Sequence, residues 1–162
     1  IINIAHENIN KFIKKGDELL LPLQHELRLI MWKYCGVIKN KSLLLKGLSK
    51  IDSIMHKINF VDIRIDRYNC KDLALIFDLQ SSLVSAKATI LSALEREESR
   101  GAHQRSDFPK MNLNYKFNCL VSIDENSILR ISKAPQKELK EKIKKLISNA
   151  TREEDIKDKL LE

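Results

Sequence analysis

The chain is short of the residues that bend, break or cross-link a backbone. Its 162 residues include four glycines, three prolines, three cysteines and one tryptophan. So few turn formers exclude a fold of many short strands and point to long regular elements. Cys35, Cys70 and Cys119 stand apart, with no CxxC and no Cys/His pair. A zinc or iron–sulfur site is therefore not expected, and an odd count without a secretion signal fits a reducing compartment. The cysteines read as small, semi-buried hydrophobes. No uninterrupted apolar run approaches the roughly 20 residues of a spanning helix, so membrane contact is expected only through a partner. Lys11, Lys14 and Lys15 follow the first apolar residues instead of preceding them, unlike a signal peptide. The chain opens on Ile1, not Met, which leads us to expect a piece of something longer.

Catalytic signatures are equally scarce. No two of Gly16, Gly36, Gly47 and Gly101 have the spacing of a dinucleotide-binding turn. There is no G-x-S-x-G, no HExxH and no P-loop. His103 and Asp107 could be drawn as a base and its orienting acid, but no Ser or Cys is evidently placed as their nucleophile. We assign no catalytic, cofactor-binding or metal-binding residue. The net charge of +7 is spread among acids. Residues 136–162, the most charged stretch, carry eight Lys/Arg against seven Asp/Glu. Aromatic residues do not interleave with the basic ones, so nucleic acid is not an expected partner.

Leu, Ile, Lys and Glu are abundant, which favours helix. Residues 1–21 read as a linker or first helical turns, with Ile4, Ile9, Phe12 and Ile13 at amphipathic spacing. A helix over Pro22–Cys35 carries the stripe Leu23, Leu27, Ile30, Met31 and Tyr34. Trp32 lies off that stripe and reads equally as a second packing face or as contact with another domain. A second helix, Ser42–Lys57, repeats apolar residues every seven (Leu44, Leu48, Ile51, Met55, Ile58), with Asn40 or Ser42 as cap. Gly47 inside it implies close approach of a neighbouring helix. Phe60–Tyr68 alternates like a strand and is read as an extended crossover. Asn69 then caps a third helix reaching Arg100, about 31 residues or roughly 46 Å. Its seam is Ile76, Leu79, Leu83, Ala86, Ile90 and Ala93, and Gly101 falls where a left-handed C′ residue would stop it.

The expected fold is mainly α. It is a three-helix up-down bundle, spectrin-like, over residues 22–109, with a β-hairpin over 110–135 and a helical tail over 136–162. In the hairpin, Tyr115, Phe117, Cys119 and Val121 share one face. The tail carries Leu139, Ile143, Leu146 and Ile147 on one side, then a capping box at Thr151 and Glu154. It reads better as a hairpin folded back on the bundle than as a docking element.

The run Glu97–Pro109, EESRGAHQRSDFP, resembles the C-terminal signature of the succinate dehydrogenase and fumarate reductase flavoproteins, a family that includes L-aspartate oxidase. Leu27–Asn40, LRLIMWKYCGVIKN, is similar to the family's L-x-x-x-M-W-x-x-x-G-x-x-R/K-N element. The resemblance covers about Leu23 to Pro135. It implies that an FAD-binding domain and a capping domain precede this helical domain in the full-length protein. There, hydride passes between a dicarboxylate and the flavin, and an arginine of the capping domain moves the proton. None of those motifs is in this chain, so the fragment itself is expected to be inactive. The resemblance implies a docking role, toward the flavin and capping domains or an iron–sulfur subunit, for Glu98, Ser99, Arg100, Gly101, Ala102, His103, Arg105 and Asp107. Arg100 could instead serve the carbonyl end of the third helix. Ala102 favours the succinate/fumarate branch over aspartate oxidase, where leucine is commoner. Full-length FAD enzyme, in the cytoplasm or peripheral to the inner membrane through partner subunits, is the reading; an independent helical interaction module is the alternative.

Overall fold

The computed structural model describes residues 16–63, 71–125, 128–138, 140, 141 and 143. Three helices form the core: α1 (Leu20–Tyr34), α2 (Lys41–Lys57, followed by a 3-10 turn, Ile58–Phe60) and α3 (Lys71–Glu95). Two-residue strands β1 (Ile38–Lys39) and β2 (Gln104–Arg105) pair in parallel. Strands β3 (Phe117–Ile123) and β4 (Leu129–Pro135) form an antiparallel hairpin, with Phe117 opposite Pro135 and Ile123 opposite Leu129.

All three helix pairs are in contact. Most of the core is the set of side chains that the sequence periodicity selects; in α2, Ile54 is buried from outside the expected stripe, while Leu48 and Met55 of that stripe are only partly buried. Leu23, Leu27 and Ile30 of α1 meet Leu44, Ile51 and Ile54 of α2 and the whole expected seam of α3. Full burial of each leucine or isoleucine is worth about 1.5–3 kcal/mol, which makes this seam the main source of cohesion. Gly47 has the reason anticipated for it: a Cβ there would come within 2.8 Å of Tyr34 Cβ and 3.1 Å of Ile90 Cδ1. By length and composition α3 could cross a membrane, but its six buried residues are the middle of the bundle.

Some boundaries differ from the sequence reading. α1 begins at Leu20, two residues before Pro22. Proline is still tolerated there, because the first-turn N–H groups have no intrahelical acceptor. Asn40 is the cap of α2, accepting from the Leu43 amide at 2.8 Å. Of the extended crossover, Val61 bridges Glu18 in parallel, and the Glu18 and Asp62 amides bond the Phe60 and Glu18 carbonyls. Asn69 and the rest of that crossover, the amphipathic start, and nearly all of the helical tail with its capping box lie outside the described residues.

The third helix is shorter than expected. It ends at Glu95, not Arg100, and Gly101 is not its C′ residue. Gly101 instead takes φ = 56° in a turn where Arg100 and His103 exchange both backbone hydrogen bonds, at 2.8 and 3.0 Å. A two-residue turn of this kind needs positive φ at its first central position, which glycine supplies without strain. Side chains from the returning chain, not a glycine cap, take up the last carbonyls of α3.

Candidate functional site

The polar segment after α3 folds back over the helix end and is zipped to the α1–α2 connection. Ile38 pairs with Gln104, Lys39 with Arg105, and the Ser106 amide donates to the Lys39 carbonyl at 2.8 Å. The two stretches singled out in the sequence, 27–40 and 97–109, thus meet in space.

Arg105 lies at the centre of this junction, with its side chain fully buried. One nitrogen donates to the Ala93 carbonyl at 2.6 Å, and so neutralises the negative end of α3. Nε and Nη2 form two parallel bonds of 2.8 Å to the carboxylate of Asp107. Asp107 in turn accepts the Lys41 amide at 2.8 Å, at the positive end of α2. The Arg105 pair holds the Asp107 carboxyl well below the usual carboxylate range, and the Lys41 amide adds to this. The guanidinium also lies 5.0 Å from the Phe108 ring centroid.

Glu98 is buried as well. It accepts from Arg96, from Arg100 at 3.0 and 3.1 Å, and from the Asn112 amide at 2.8 Å. Bonding to Arg100 foremost, then to Asn112 and Arg96, outweighs burial and lowers its pKa to about 2. Ser99 donates to the Phe108 carbonyl and accepts the Arg105 amide, both at 2.8 Å. His103 Nε2 lies 3.0 Å from the Arg96 carbonyl. A carbonyl only accepts, so Nε2 carries the proton and Nδ1 is left as an acceptor. Burial, with Lys39, Arg105 and Arg96 nearby, pushes the imidazole pKa down. His103 and Asp107 therefore spend their hydrogen bonds on other partners.

The eight candidates split by exposure. Glu98, Ser99 and Arg105 are buried, and Asp107 is exposed but bound from below by Arg105. Arg100, Gly101 and Ala102 are exposed, with His103 half-buried beside them. The role of serving the carbonyl end of α3 belongs to Arg105 and His103; Arg100 turns to Glu98 and to the Asn112 carbonyl. Sequence reasoning missed Arg96. It ties Glu98 to the Tyr115 and Phe117 carbonyls of the hairpin and lies 4.9 Å from the Phe117 ring centroid. Only its place in a charged run hinted at this.

A cleft of about 540 Å³ opens next to His103, lined by Lys39, Ser92, Arg96, Asn118 and Cys119 among others. Among the described residues no three His, Cys, Asp or Glu side chains cluster to hold a metal ion. A Cβ on Gly16 or Gly47 would strike packed protein, and the N-terminus of α2 is already taken by Asn40 and Asp107.

The family described as fumarate reductase flavoprotein C-term matches residues 24–142. The chain belongs to that family. The match runs past Pro135, where the sequence resemblance stopped. An FAD-dependent oxidoreductase of Methanocaldococcus jannaschii is 37% identical over 122 residues, 72% of this chain and 22% of that protein. An L-aspartate oxidase of Pyrococcus abyssi is 37% identical over 90 residues, 56% of this chain and 15% of that protein. The chain thus spans about a fifth of the length of such relatives. The fold is that of the corresponding part of E. coli quinol fumarate reductase, with TM-score 0.75 and 23% identity over 85% of this chain and 24% of that one. In this chain the bundle seam and the Arg105 junction hold that fold together.

Proposed function

We propose that this domain is the C-terminal part of an FAD-dependent oxidoreductase that interconverts succinate and fumarate, acting on a CH–CH bond. The observation that carries the reading is the family match over residues 24–142. FAD and the dicarboxylate are held by the preceding FAD-binding and capping domains, and this domain contributes no catalytic group. Its part is docking. Arg100, Gly101 and Ala102, with His103, present a turn to those domains or to an iron–sulfur subunit. Glu98, Ser99, Arg105 and Asp107 hold that turn rigid from beneath, so little entropy is lost on docking. The enzyme is cytoplasmic, peripheral to the inner membrane through partner subunits.

The test is to express the flavoprotein that contains this domain and record its visible spectrum and turnover. A flavin band with succinate–fumarate activity is expected, and a colourless 162-residue chain. A flavoprotein that oxidises only aspartate would favour the second reading, L-aspartate oxidase, which the similarity to the Pyrococcus abyssi protein keeps in play. A full-length protein without flavin would sink both. Arg100→Ala should cost the flavoprotein assembly or turnover beyond its effect on the melting of the isolated chain; equal effects would withdraw the docking role.

A further inference from the structure

The cleft beside His103 is walled by basic side chains and lined by no acid. Lys39 of β1, Arg96 just past the end of α3 and His103 of the returning chain line it. Ser92 and Asn118 add a hydroxyl and an amide, both able to donate. Neither Asp nor Glu is among the lining residues. The basic groups come from three segments far apart in sequence, so the fold gathers them.

The acids nearby are already committed. Glu98 is buried and shared among Arg96, Arg100 and the Asn112 amide. Asp107 is held by Arg105, and Glu95 pairs with Lys133. The carbonyl end of α3 also faces this region, but Arg105 takes the Ala93 carbonyl and His103 that of Arg96. Arg96 spends its guanidinium on Glu98 and on two hairpin carbonyls, so it adds field and no free donor. Lys39 differs. Its Nζ donates to the Val37 carbonyl at 3.1 Å, and two of its three protons remain. The groups that act on the His103 ring are cations on three sides: Lys39 from β1, Arg105 from β2 and Arg96 from the end of α3. Cys119 of β3 brings a thiol to the same cleft. The potential at the ring is therefore positive, and an anion entering the cleft is attracted.

We propose that this cleft binds a small oxyanion, held by the Lys39 ammonium, the Ser92 hydroxyl and the Asn118 amide, with His103 as a proton-dependent fourth donor. In the neutral ring Nε2–H goes to the Arg96 carbonyl, and Nδ1 offers only a lone pair. Protonation makes Nδ1 a donor, and an anion beside it offsets the repulsion from Lys39, Arg96 and Arg105. Anion binding and His103 protonation are thus linked. The anion raises the pKa of His103, and acid tightens the anion. A cleft of about 540 Å³ exceeds a bare ion and has space for a small molecule that carries a phosphate or sulfate group.

The test is an NMR titration of the 162-residue chain, with the His103 signal identified by its loss in His103→Gln. Imidazole shifts are followed against pH in sodium sulfate and in sodium chloride of equal ionic strength. Sulfate should raise the His103 pKa by about 0.5 or more relative to chloride. Lys39→Gln should abolish that difference. Lys46→Gln makes the same change of charge on the exposed face of α2, away from the cleft, and should keep it. Glycerol phosphate saturating the Ser92 and Asn118 amide shifts at lower concentration than sulfate would identify the ligand as a phosphomonoester, and the reverse order as the free ion. Equal His103 pKa values in the two salts would overturn the proposal, since only screening would then be acting. So would an undiminished sulfate effect in Lys39→Gln, which would place the anion elsewhere.

Discussion

Arg105 and Asp107 meet through two parallel N–H···O bonds of 2.8 Å, and each also serves a different helix terminus. Arg105 faces the carbonyl end of α3 and Asp107 the amide end of α2. Charge alternates along this path, from helix end to cation to anion to helix start, so every neighbour is attractive. Removing either side chain leaves the other with an unpaired charge and exposes a helix dipole. Arg105→Met should destabilise the 162-residue chain by about 3 kcal/mol in urea unfolding, the low end for a broken buried pair, because Arg105 is buried but the Asp107 side chain is 29% exposed. Arg105→Lys should lose most of that too, because an ammonium cannot make the fork. A loss under about 1 kcal/mol for Arg105→Met would show that the junction is not a stability element.

Acid should weaken the domain in two steps. His103 has its folded pKa lowered from 6.5, so its contribution is complete above that value and declines as pH falls below it. Glu98 has its folded pKa lowered from 4.5 to about 2, so its contribution is present above 4.5 and is lost as pH falls toward 2. Asp107, also lowered, adds in the same direction. Melting temperature against pH should therefore fall below about 6.5 and more steeply below about 4.5. Glu98→Gln should flatten the steeper limb relative to the parent chain. Identical acid limbs in the two proteins would remove Glu98 from this account.

The helices were legible because burial at helical period leaves a trace in sequence, and all six seam residues of α3 from Ile76 to Ala93 proved buried. The hairpin was legible for the matching reason, alternation, as in half-buried Phe117 and Cys119. The end of α3 was not legible. A helix stop made by Arg105 and His103, seven to twelve residues beyond the carbonyls they serve, has no local signature, whereas Gly101 imitates one. Which polar residues of the signature turn inward was hidden for the same reason. Composition marks Glu98 and Arg105 as surface residues, and only their partners, Arg96 and Arg100 for the first and Asp107 for the second, make burial affordable.

The two glycines that shape the site area should fail for different reasons. Gly47→Ala gains up to about 1 kcal/mol of helix propensity. It also drives a methyl into Tyr34 and Ile90, and overpacking of that kind costs about 1–3 kcal/mol. The net effect should be destabilising. At Gly101 no atom lies within 4 Å of the added Cβ, so only the positive φ is penalised, by about 1 kcal/mol. A Gly47→Ala chain more stable than its parent would mean that Tyr34 of α1 and Ile90 of α3 can give way to the methyl without cost.

The hairpin should depend on α3 for its order. A two-stranded sheet is marginal by itself in water. Here Arg96 bonds the Tyr115 and Phe117 carbonyls and lies against the Phe117 ring, while Lys133 of β4 pairs with Glu95. The Glu95–Lys133 pair is half-exposed and contributes little on its own. Arg96 is the stronger tie, since only 18% of its side chain is exposed and it also holds Glu98. Arg96→Met keeps the apolar stem and removes the hydrogen bonds. Amide hydrogen exchange across residues 117–135 should then rise at least tenfold, while the seam amides of α1, α2 and α3 keep their protection. Uniform loss of protection in both regions would mean that hairpin and bundle unfold as one unit. Unchanged exchange in the hairpin would mean that its seven-residue register holds it without α3, and Arg96 would lose the role given to it here.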